Sequence, residues 1–222
     1  KVEIQRAING IKIAIEQIGL QEGHEIAMGH TASSANRIAY TMKEPIGVVA
    51  AISAFNHPFN LAVHQVIPAI AVGCPVIIRP ATQTPMSAIK LVEILKEAGL
   101  PNGWAQAVVC DRNAGELLVT SPKTAFFTFI GSGPVGWYLN SKSSPGTRSA
   151  LEHGGVAPVI VEPDADIEAM IPDLVKGGFY HAGQVCVSVQ RIFVHESIAD
   201  SVASKIAEKA SKLVVGDQLD PK

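Results

Sequence analysis

The sequence has few cysteines, few aromatic residues and no excess of either charge. Of its 222 residues three are cysteine and 5% are aromatic, and the formal net charge is −2. A near-neutral chain lacks the basic surface that binds nucleic acid or an anionic membrane. The widely spaced cysteines form no Cys-x-x-Cys or Cys/His pattern, which argues against a disulfide framework and a zinc site. We therefore expect no nucleic-acid, membrane or metal partner and a reducing, cytoplasmic location.

Long apolar runs are also missing. No stretch approaches the roughly 20 apolar residues that cross a bilayer, and the first residues do not resemble a signal peptide. The hydrophobic fraction is 47%, divided into short runs by glycine, proline and charged residues. A chain of this length can bury a large core, and its apolar residues are distributed as in a globular α/β protein.

Apolar runs typical of buried strands alternate with helical patterns along most of the chain. This alternation predicts an α/β fold with a parallel sheet and right-handed crossovers. A domain boundary is expected near 148–156, where glycines flank a change of context. The predicted strands are 46–52, 75–80, 104–109, 124–130, 157–162 and 187–195, with a hairpin within 25–45. The predicted helices are 2–18, 61–72, 85–98, 114–120, 166–178 and 198–213, with a further helix after Gly131.

A glycine-rich segment, GSGPVG at 131–136, lies between a predicted strand and a predicted helix. In that context glycines let a pyrophosphate approach a helix N-terminus. Glu152, about 20 residues on, fits the spacing of a ribose ligand. It precedes a Gly-Gly turn, however, and is not predicted to end a strand beside the first, so we do not expect that role. The alternative is a tight turn without a ligand.

Two polar segments follow predicted buried strands. Asn56 carries an amide that can donate to an oxyanion, although asparagine is also a common turn former. RPATQTP, residues 79–85, lies at a strand end, where α/β sheets bind ligands, so Arg79 and Thr82 can face a cofactor. The alternative is a solvated strand end with a helix cap at Thr84.

HAGQVCVS, residues 181–188, places Cys186 after Gly-Gln. A thiolate is the most reactive side-chain nucleophile near neutral pH, so Cys186 is a candidate nucleophile, and a buried structural cysteine is the alternative. Cys74 and Cys110 lie in apolar surroundings and are interpreted as small core residues. The seven histidines are spread along the chain, which favours surface and packing roles over a Cys–His dyad.

Taken together, five segments resemble the aldehyde dehydrogenase superfamily in the family's own order, over nearly the whole chain. The AFNHP and HAGQVCVSVQRI segments are most similar to the branch that contains lactaldehyde and phosphonoacetaldehyde dehydrogenases. The five are EPIGVVAAISAFNHPFN (44–60), RPATQTP (79–85), FIGSGPVG (129–136), LEHGGVAPVIV (151–161) and HAGQVC (181–186).

The resemblance implies a role for each matching residue. Cys186 becomes the nucleophile, Glu152 the general base and Asn56 the oxyanion donor. It implies a three-layer α/β/α, Rossmann-like coenzyme domain over 1–150, which includes the hairpin, and the first part of a catalytic domain over 151–222. The cofactor is NAD or NADP, and the residues expected to contact it are Ser53, Phe55, Arg79, Thr82, Gly115, Phe129, Gly131, Ser132, Val135 and Gly154.

The chain departs from the family pattern at several positions. Arg79 replaces a lysine, and Thr82 replaces the acid that hydrogen-bonds the adenosine ribose. Losing a carboxylate while keeping a cation lowers the repulsion against a 2′-phosphate, so we expect NADP to be tolerated. Phe55, Ile130 and His153 stand for a tryptophan, a threonine and a leucine, and none of these changes removes a reacting group.

The leading hypothesis is NAD(P)-dependent oxidation of an aldehyde to a carboxylic acid. The alternatives are an acylating relative that uses coenzyme A, a non-catalytic scaffold, and a dehydrogenase without covalent chemistry. Family members continue beyond GDQLDP, so the chain is expected to be an internal piece with little activity alone. The intact enzyme is expected to form a homo-oligomer.

Overall fold

The computed structural model describes residues 2–217 and divides the chain into two compact units, Lys1–His153 and Gly154–Lys222. The GDQLDP segment therefore lies mostly outside the described residues. None of the helices within residues 2–217 combines the length and apolar character needed to cross a bilayer. Each unit has its own apolar core.

The first unit is built on a five-stranded parallel sheet. Its strand order is β5-β4-β3-β6-β7. The inner strands consist of buried and half-buried residues, many of them valine, isoleucine, alanine or phenylalanine, as expected for strands covered on both faces. The strands are β3 (Val48–Ile52), β4 (Val76–Arg79), β5 (Ala105–Ala107), β6 (Thr124–Gly131) and β7 (Arg148–His153).

Helices cover both faces of this sheet. Helices α1, α2 and α3 pack on one face, and α4 and α5 on the other, in two separate apolar clusters. This confirms the predicted α/β/α arrangement. Proline begins α2 and α3, where its missing N–H costs no hydrogen bond. The helices are α1 (Val2–Ile18), α2 (Pro58–Ala71), α3 (Pro85–Glu97), α4 (Arg112–Thr120) and α5 (Gly133–Lys142).

The predicted hairpin is present but short. Strands β1 (Glu25–Ile26) and β2 (Ala39–Tyr40) pair antiparallel over two residues each. The remainder of the predicted 25–45 segment is turn or irregular backbone.

The second unit contains a two-stranded parallel sheet covered by two helices. Strand β8 (Val159–Val161) pairs with β9 (Ile192–Val194), and helices α6 (Ile167–Phe179) and α7 (Ala199–Ser211) pack together. The predicted strand 187–195 was too long at its start, because residues 187–191 form a loop with turn hydrogen bonds.

One predicted feature of the helix starts was wrong. Thr84 occupies the N-cap position of α3, but its side chain makes no capping hydrogen bond. Helix α6 is capped by Asp166, whose carboxylate accepts from the Ala169 N–H at 3.1 Å.

Strand β7 was not predicted. It lies at the edge of the five-stranded sheet, parallel to β6, and pairs Glu152 with Ile130. Its residues are half-buried or exposed, so the sequence RSALEH lacks the apolar run that marks an inner strand. The argument that Glu152 does not end a strand beside β6 was therefore wrong.

Candidate functional site

The carboxyl ends of the parallel strands gather most of the predicted site residues of the first unit at one edge. The chain places β4 and β5 on one side of β3, and β6 and β7 on the other. The order of the strands therefore reverses between β3 and β6, and open α/β sheets bind ligands in the crevice at such a reversal. Ser53 follows β3, Arg79 ends β4, Gly131 ends β6 and Glu152 lies near the end of β7.

The turn from β6 into α5 presents backbone N–H groups to this edge. Ser132 is the N-cap residue in an extended conformation, and its side chain makes no capping hydrogen bond. Val135, in the first turn, is 46% exposed. A helix start without a side-chain cap keeps N–H donors for an anion. The turn is therefore suited to a pyrophosphate, as the glycine pattern predicted.

Two of the glycines also have a packing role. A Cβ on Gly136 would overlap the His153 ring, and a Cβ on Gly131 would lie 2.6 Å from Phe129 Cζ. The His153 ring packs edge-on against Trp137, with centroids 5.1 Å apart, and against Phe129 at 6.1 Å. His153 thus fills an apolar space, and its Nε2 is buried without a hydrogen-bond partner among the described residues.

Arg79 points toward α4. Its Nη2 donates to the Cys110 carbonyl oxygen at 3.2 Å, whereas Nε is buried without a partner within residues 2–217. A Cβ on Gly115 would lie 2.8 Å from Arg79 Cδ, so Gly115 makes room for the arginine stem. Thr82 is exposed on the turn that follows β4.

The Asn56 loop, residues 53–57, connects β3 to α2. At its start the Ser53 N–H donates to the Arg79 carbonyl oxygen at 3.0 Å. Asn56 is half-buried, and its Oδ1 accepts from the His57 N–H at 3.1 Å. That contact turns the amide oxygen toward the backbone and leaves the NH₂ end as the donor. Phe55 is 45% exposed.

Glu152 is exposed, which suits a base that must exchange protons with water. Its charge acts on His64 of α2. The pKa of His64 lies below its usual value because the ring is partly withdrawn from water and Arg6 repels the imidazolium, while Glu152 opposes this shift. Glu152 and Arg6 thus act in opposite directions on His64 of α2.

The Cys186 loop, residues 180–190, belongs to the second unit. A 3₁₀ turn, Tyr180–Gly183, precedes Cys186, and residues 181–183 all have positive φ, at 54°, 54° and 73°. Positive φ is unfavourable for residues other than glycine. Cys186 is the exposed cysteine, Cys74 is buried and Cys110 is half-buried. A thiol must be accessible to act as a nucleophile. Cys74 lies in the core, as predicted, whereas the prediction of Cys110 as a core residue was wrong, because it lies half-buried in the loop before α4.

Hydrogen bonds to backbone carbonyl oxygens hold this loop on both sides. The Ser188 hydroxyl, 3% exposed as a residue, lies 3.3 Å from the Gly177 carbonyl oxygen and 3.1 Å from that of Gly178 at the end of α6. The Gly155 N–H donates to the Cys186 carbonyl oxygen at 3.2 Å. Gly154 is exposed, with open space where a Cβ would lie.

A small cavity of about 230 Å³ opens beside the Cys186 loop. Val185 and Val187, which flank Cys186, contribute apolar walls, and Lys176 contributes a cation. The complete lining is Asp173, Lys176, Gly177, Tyr180, Val185, Val187 and Ser188. The sequence motif marked Cys186 as a candidate but did not predict this cavity, which depends on how α6 packs against the loop.

Comparisons with known proteins identify the family of the chain. The model of the aldehyde dehydrogenase family matches residues 1–222. The chain belongs to the aldehyde dehydrogenase family. A 3-sulfolactaldehyde dehydrogenase from Priestia aryabhattai is 42% identical over 220 residues, which are 98% of this chain and 46% of that enzyme. A lactaldehyde dehydrogenase from Methanococcus vannielii is 40% identical over 199 residues, 87% of this chain and 43% of that enzyme.

A solved structure of the family confirms the fold. The glyceraldehyde-3-phosphate dehydrogenase of Methanocaldococcus jannaschii, complexed with NADP, superposes with a TM-score of 0.90 at 37% identity. The alignment covers 99% of this chain and 48% of that one. The aldehyde dehydrogenase chain described here thus spans about half the length of the relatives it matches.

Proposed function

We propose that the protein carrying this chain oxidises an aldehyde to a carboxylic acid with NAD or NADP as oxidant. The observation that carries the proposal is the exposed thiol of Cys186 on a hydrogen-bonded loop, in a chain of the aldehyde dehydrogenase family. Asn56 and Glu152 supply the amide donor and the carboxylate base that the reaction requires.

The covalent steps follow from these residue types. The Cys186 thiolate attacks the aldehyde carbon, and the carbonyl oxygen becomes the oxyanion of a thiohemiacetal. The Asn56 NH₂ group donates to that oxyanion, a contribution of roughly 3–4 kcal/mol for a well-placed donor. The thiohemiacetal becomes a thioester by loss of a hydride, and a nicotinamide cofactor bound by the first unit would supply the acceptor for it. Glu152 then deprotonates the water that releases the acid and restores the thiol.

The residues of the first unit fit a dinucleotide. The start of α5 has no side-chain cap, and the buried Arg79 Nε and Ser53 Oγ have no partner among the described residues. Buried polar atoms are normally satisfied, so unpaired donors at a ligand-binding edge indicate a missing polar partner. Gly131, Ser132 and Val135 would then lie along the pyrophosphate, with Phe55, Thr82, Gly115, Phe129 and Gly154 completing the cofactor contacts.

Thr82 makes NADP an acceptable cofactor, because no carboxylate at that position repels a 2′-phosphate. The full-length protein, meaning a natural protein that contains this chain at the length of its relatives, is the right material for this test. We expect the ratio of NAD to NADP efficiency to stay below about 100, a free-energy difference near 2.7 kcal/mol. A larger ratio would show that another residue selects against the phosphate.

The substrate is sought among small aldehydes. The names of the relatives point to lactaldehyde, 3-sulfolactaldehyde and glyceraldehyde 3-phosphate, which share a three-carbon 2-hydroxyaldehyde skeleton. We propose that class for the full-length protein, tested with a panel that also contains betaine aldehyde and succinate semialdehyde. Reduced cofactor should form with a 2-hydroxyaldehyde and disappear in Cys186→Ala. Turnover restricted to the other aldehydes would reject the class.

The same assay separates the rival functions. An acylating enzyme would need coenzyme A and would release an acyl-CoA, whereas the carboxylate of Glu152 favours water as the acceptor. A dehydrogenase without covalent chemistry would keep hydride transfer in Cys186→Ser. For a non-catalytic scaffold, iodoacetamide would modify Cys186 no faster than an ordinary exposed thiol, and NADP would not change the rate.

A catalytic thiol also suits a reducing compartment such as the cytoplasm. The homo-oligomer stays a prediction.

A further inference from the structure

The first turn of α2 satisfies its backbone donors in an unusual way. A helix start leaves its first N–H groups without partners inside the helix. Here the His57 N–H donates to Asn56 Oδ1, and Pro58 has no N–H. The remaining two, from Phe59 and Asn60, both donate to one carboxylate oxygen, Glu3 Oε1, at 2.7 and 3.1 Å. The N-cap residue itself, His57, makes no side-chain capping bond.

Glu3 lies in the first turn of α1, 56 residues from Phe59 along the chain. It acts as a cap supplied from another helix. Its carboxylate also places negative charge at the positive end of α2, which is favourable on electrostatic grounds. Glu3 is half-buried, so water competes less for the two N–H groups than at an open surface.

The contact bears directly on the Asn56 loop. The loop is fixed at its start by β3, where Ser53 is 6% exposed and hydrogen-bonded to Arg79. At its end it is fixed by the first turn of α2. The His57 N–H that orients the Asn56 amide belongs to that turn. A change in the first turn therefore changes the direction of the Asn56 NH₂ group.

We propose that Glu3 is a positioning residue for the oxyanion donor: by capping α2 it fixes the direction in which the Asn56 amide donates. The inference rests on the proposed function, since Asn56 has an oxyanion to bind only if the protein oxidises aldehydes. Glu3 touches neither substrate nor cofactor in this role. It acts on the rate through Phe59, Asn60 and His57.

The test compares variants of the full-length protein in steady-state assays with the best aldehyde. In Glu3→Ala we expect kcat to fall about tenfold while KM changes less than about twofold, because a misdirected donor weakens the transition state more than substrate binding. Glu3→Gln keeps an oxygen acceptor and should recover most of kcat. Glu16→Ala is the matched control, since it removes an exposed glutamate from the same helix and should leave kcat unchanged.

A double-variant cycle separates positioning from a general structural effect. If Glu3 acts through Asn56, Glu3→Ala should reduce kcat by less than about twofold in an Asn56→Ala background. Amide hydrogen exchange gives a readout independent of activity. The Phe59 and Asn60 amides should exchange faster in Glu3→Ala and not in Glu16→Ala. If Glu3→Ala fails to fold, Glu3→Asp, which shortens the side chain by one methylene, replaces it. We expect the same pattern, a fall in kcat with little change in KM.

The outcomes distinguish this inference from the proposed function. An unchanged kcat in Glu3→Ala, a Glu3→Gln variant as slow as Glu3→Ala, or equal losses with and without Asn56 would each overturn the positioning role while the wild-type protein still oxidises aldehydes. If the wild-type protein oxidises none, the proposed function fails and the positioning role is rejected with it.

Discussion

The Asn56 loop and the Cys186 loop differ in backbone strain and exposure. The Asn56 loop lies between a buried strand and a helix whose first turn is capped by Glu3, from another part of the chain. Gln65 of α2 adds a second support, since its side-chain nitrogen contacts the carbonyl oxygens of Ile52 at 3.2 Å and Thr128 at 3.3 Å. The elements on either side of the Asn56 loop are therefore fixed by side chains.

The Cys186 loop contains strained backbone. The Ser188 hydroxyl contacts the end of α6, and Gln190 reaches Gly155 across 35 residues, whereas Ala182 adopts a left-handed conformation at φ 54°. Asn56 thus follows a buried strand of the first unit on a loop without positive φ outside glycine. Cys186 is exposed, on a loop that includes left-handed residues. Substitutions in the Asn56 loop should accordingly lower kcat, whereas substitutions in the Cys186 loop should first change the stability of the fold.

Asn56→Ala should have the largest effect. Removing the amide should lower kcat of the full-length protein by about 10²–10³-fold, the range for the loss of one oxyanion donor, without lowering the stability of the fold by more than about 1 kcal/mol. Asn102→Ala, at an exposed turn, is the control and should leave kcat unchanged. Steady-state kinetics with matched urea unfolding measures both quantities. A rate within threefold of wild type would remove Asn56 from the site.

Ser188→Ala should act on stability first. Its buried hydroxyl lies within hydrogen-bond distance of the Gly177 and Gly178 carbonyl oxygens at the end of α6. The Gly177 oxygen keeps the Val189 N–H as a donor, so the variant takes the hydroxyl donor from the Gly178 oxygen, at a cost of about 1–3 kcal/mol. Urea unfolding of the 222-residue chain measures the loss. Ser211→Ala, which removes an exposed hydroxyl from the end of α7, should cost less than about 0.5 kcal/mol. Equal losses in the two variants would contradict the anchoring role of Ser188.

A matched pair of alanine-to-glycine changes gives the smallest but sharpest contrast. Ala182→Gly removes the strain of a left-handed alanine, about 1 kcal/mol. This gain offsets the conformational entropy that glycine loses on folding, which costs roughly 0.5–1 kcal/mol. Ala54, in the Asn56 loop, has no positive φ, so Ala54→Gly has only the cost. We expect Ala182→Gly to be the more stable variant by about 1 kcal/mol, measured by thermal unfolding. The reverse order would show that the two loops do not differ in strain.

The parts of this protein that could be predicted from its sequence are those with local signals. The strand and helix alternation gave the α/β fold, and the GSGPVG and HAGQVCVS segments marked the turn over α5 and the exposed thiol. Strand β7 was missed because an edge strand with exposed residues lacks an apolar run. That omission led to the wrong argument about where Glu152 lies.

The supports of the site had no local signal. Glu3 is 56 residues from the helix it caps, and Gln65 meets Thr128 across 63 residues. Such contacts exist only once α1, α2 and the sheet have packed together. Ser188 is the exception among the supports, because it lies within the nucleophile motif itself. Its hydroxyl could have been singled out as a polar group beside the candidate thiol.

The most direct test of the central claim, that Cys186 is the nucleophile, is the covalent intermediate. In Glu152→Gln of the full-length protein, loss of the base should slow hydrolysis of the thioester. Mass spectrometry after mixing with aldehyde and NAD(P) should then find the acyl group on the peptide that contains Cys186, with one equivalent of reduced cofactor formed. Reduced cofactor formed without an adduct on Cys186, or formed equally by Cys186→Ser, would contradict the account.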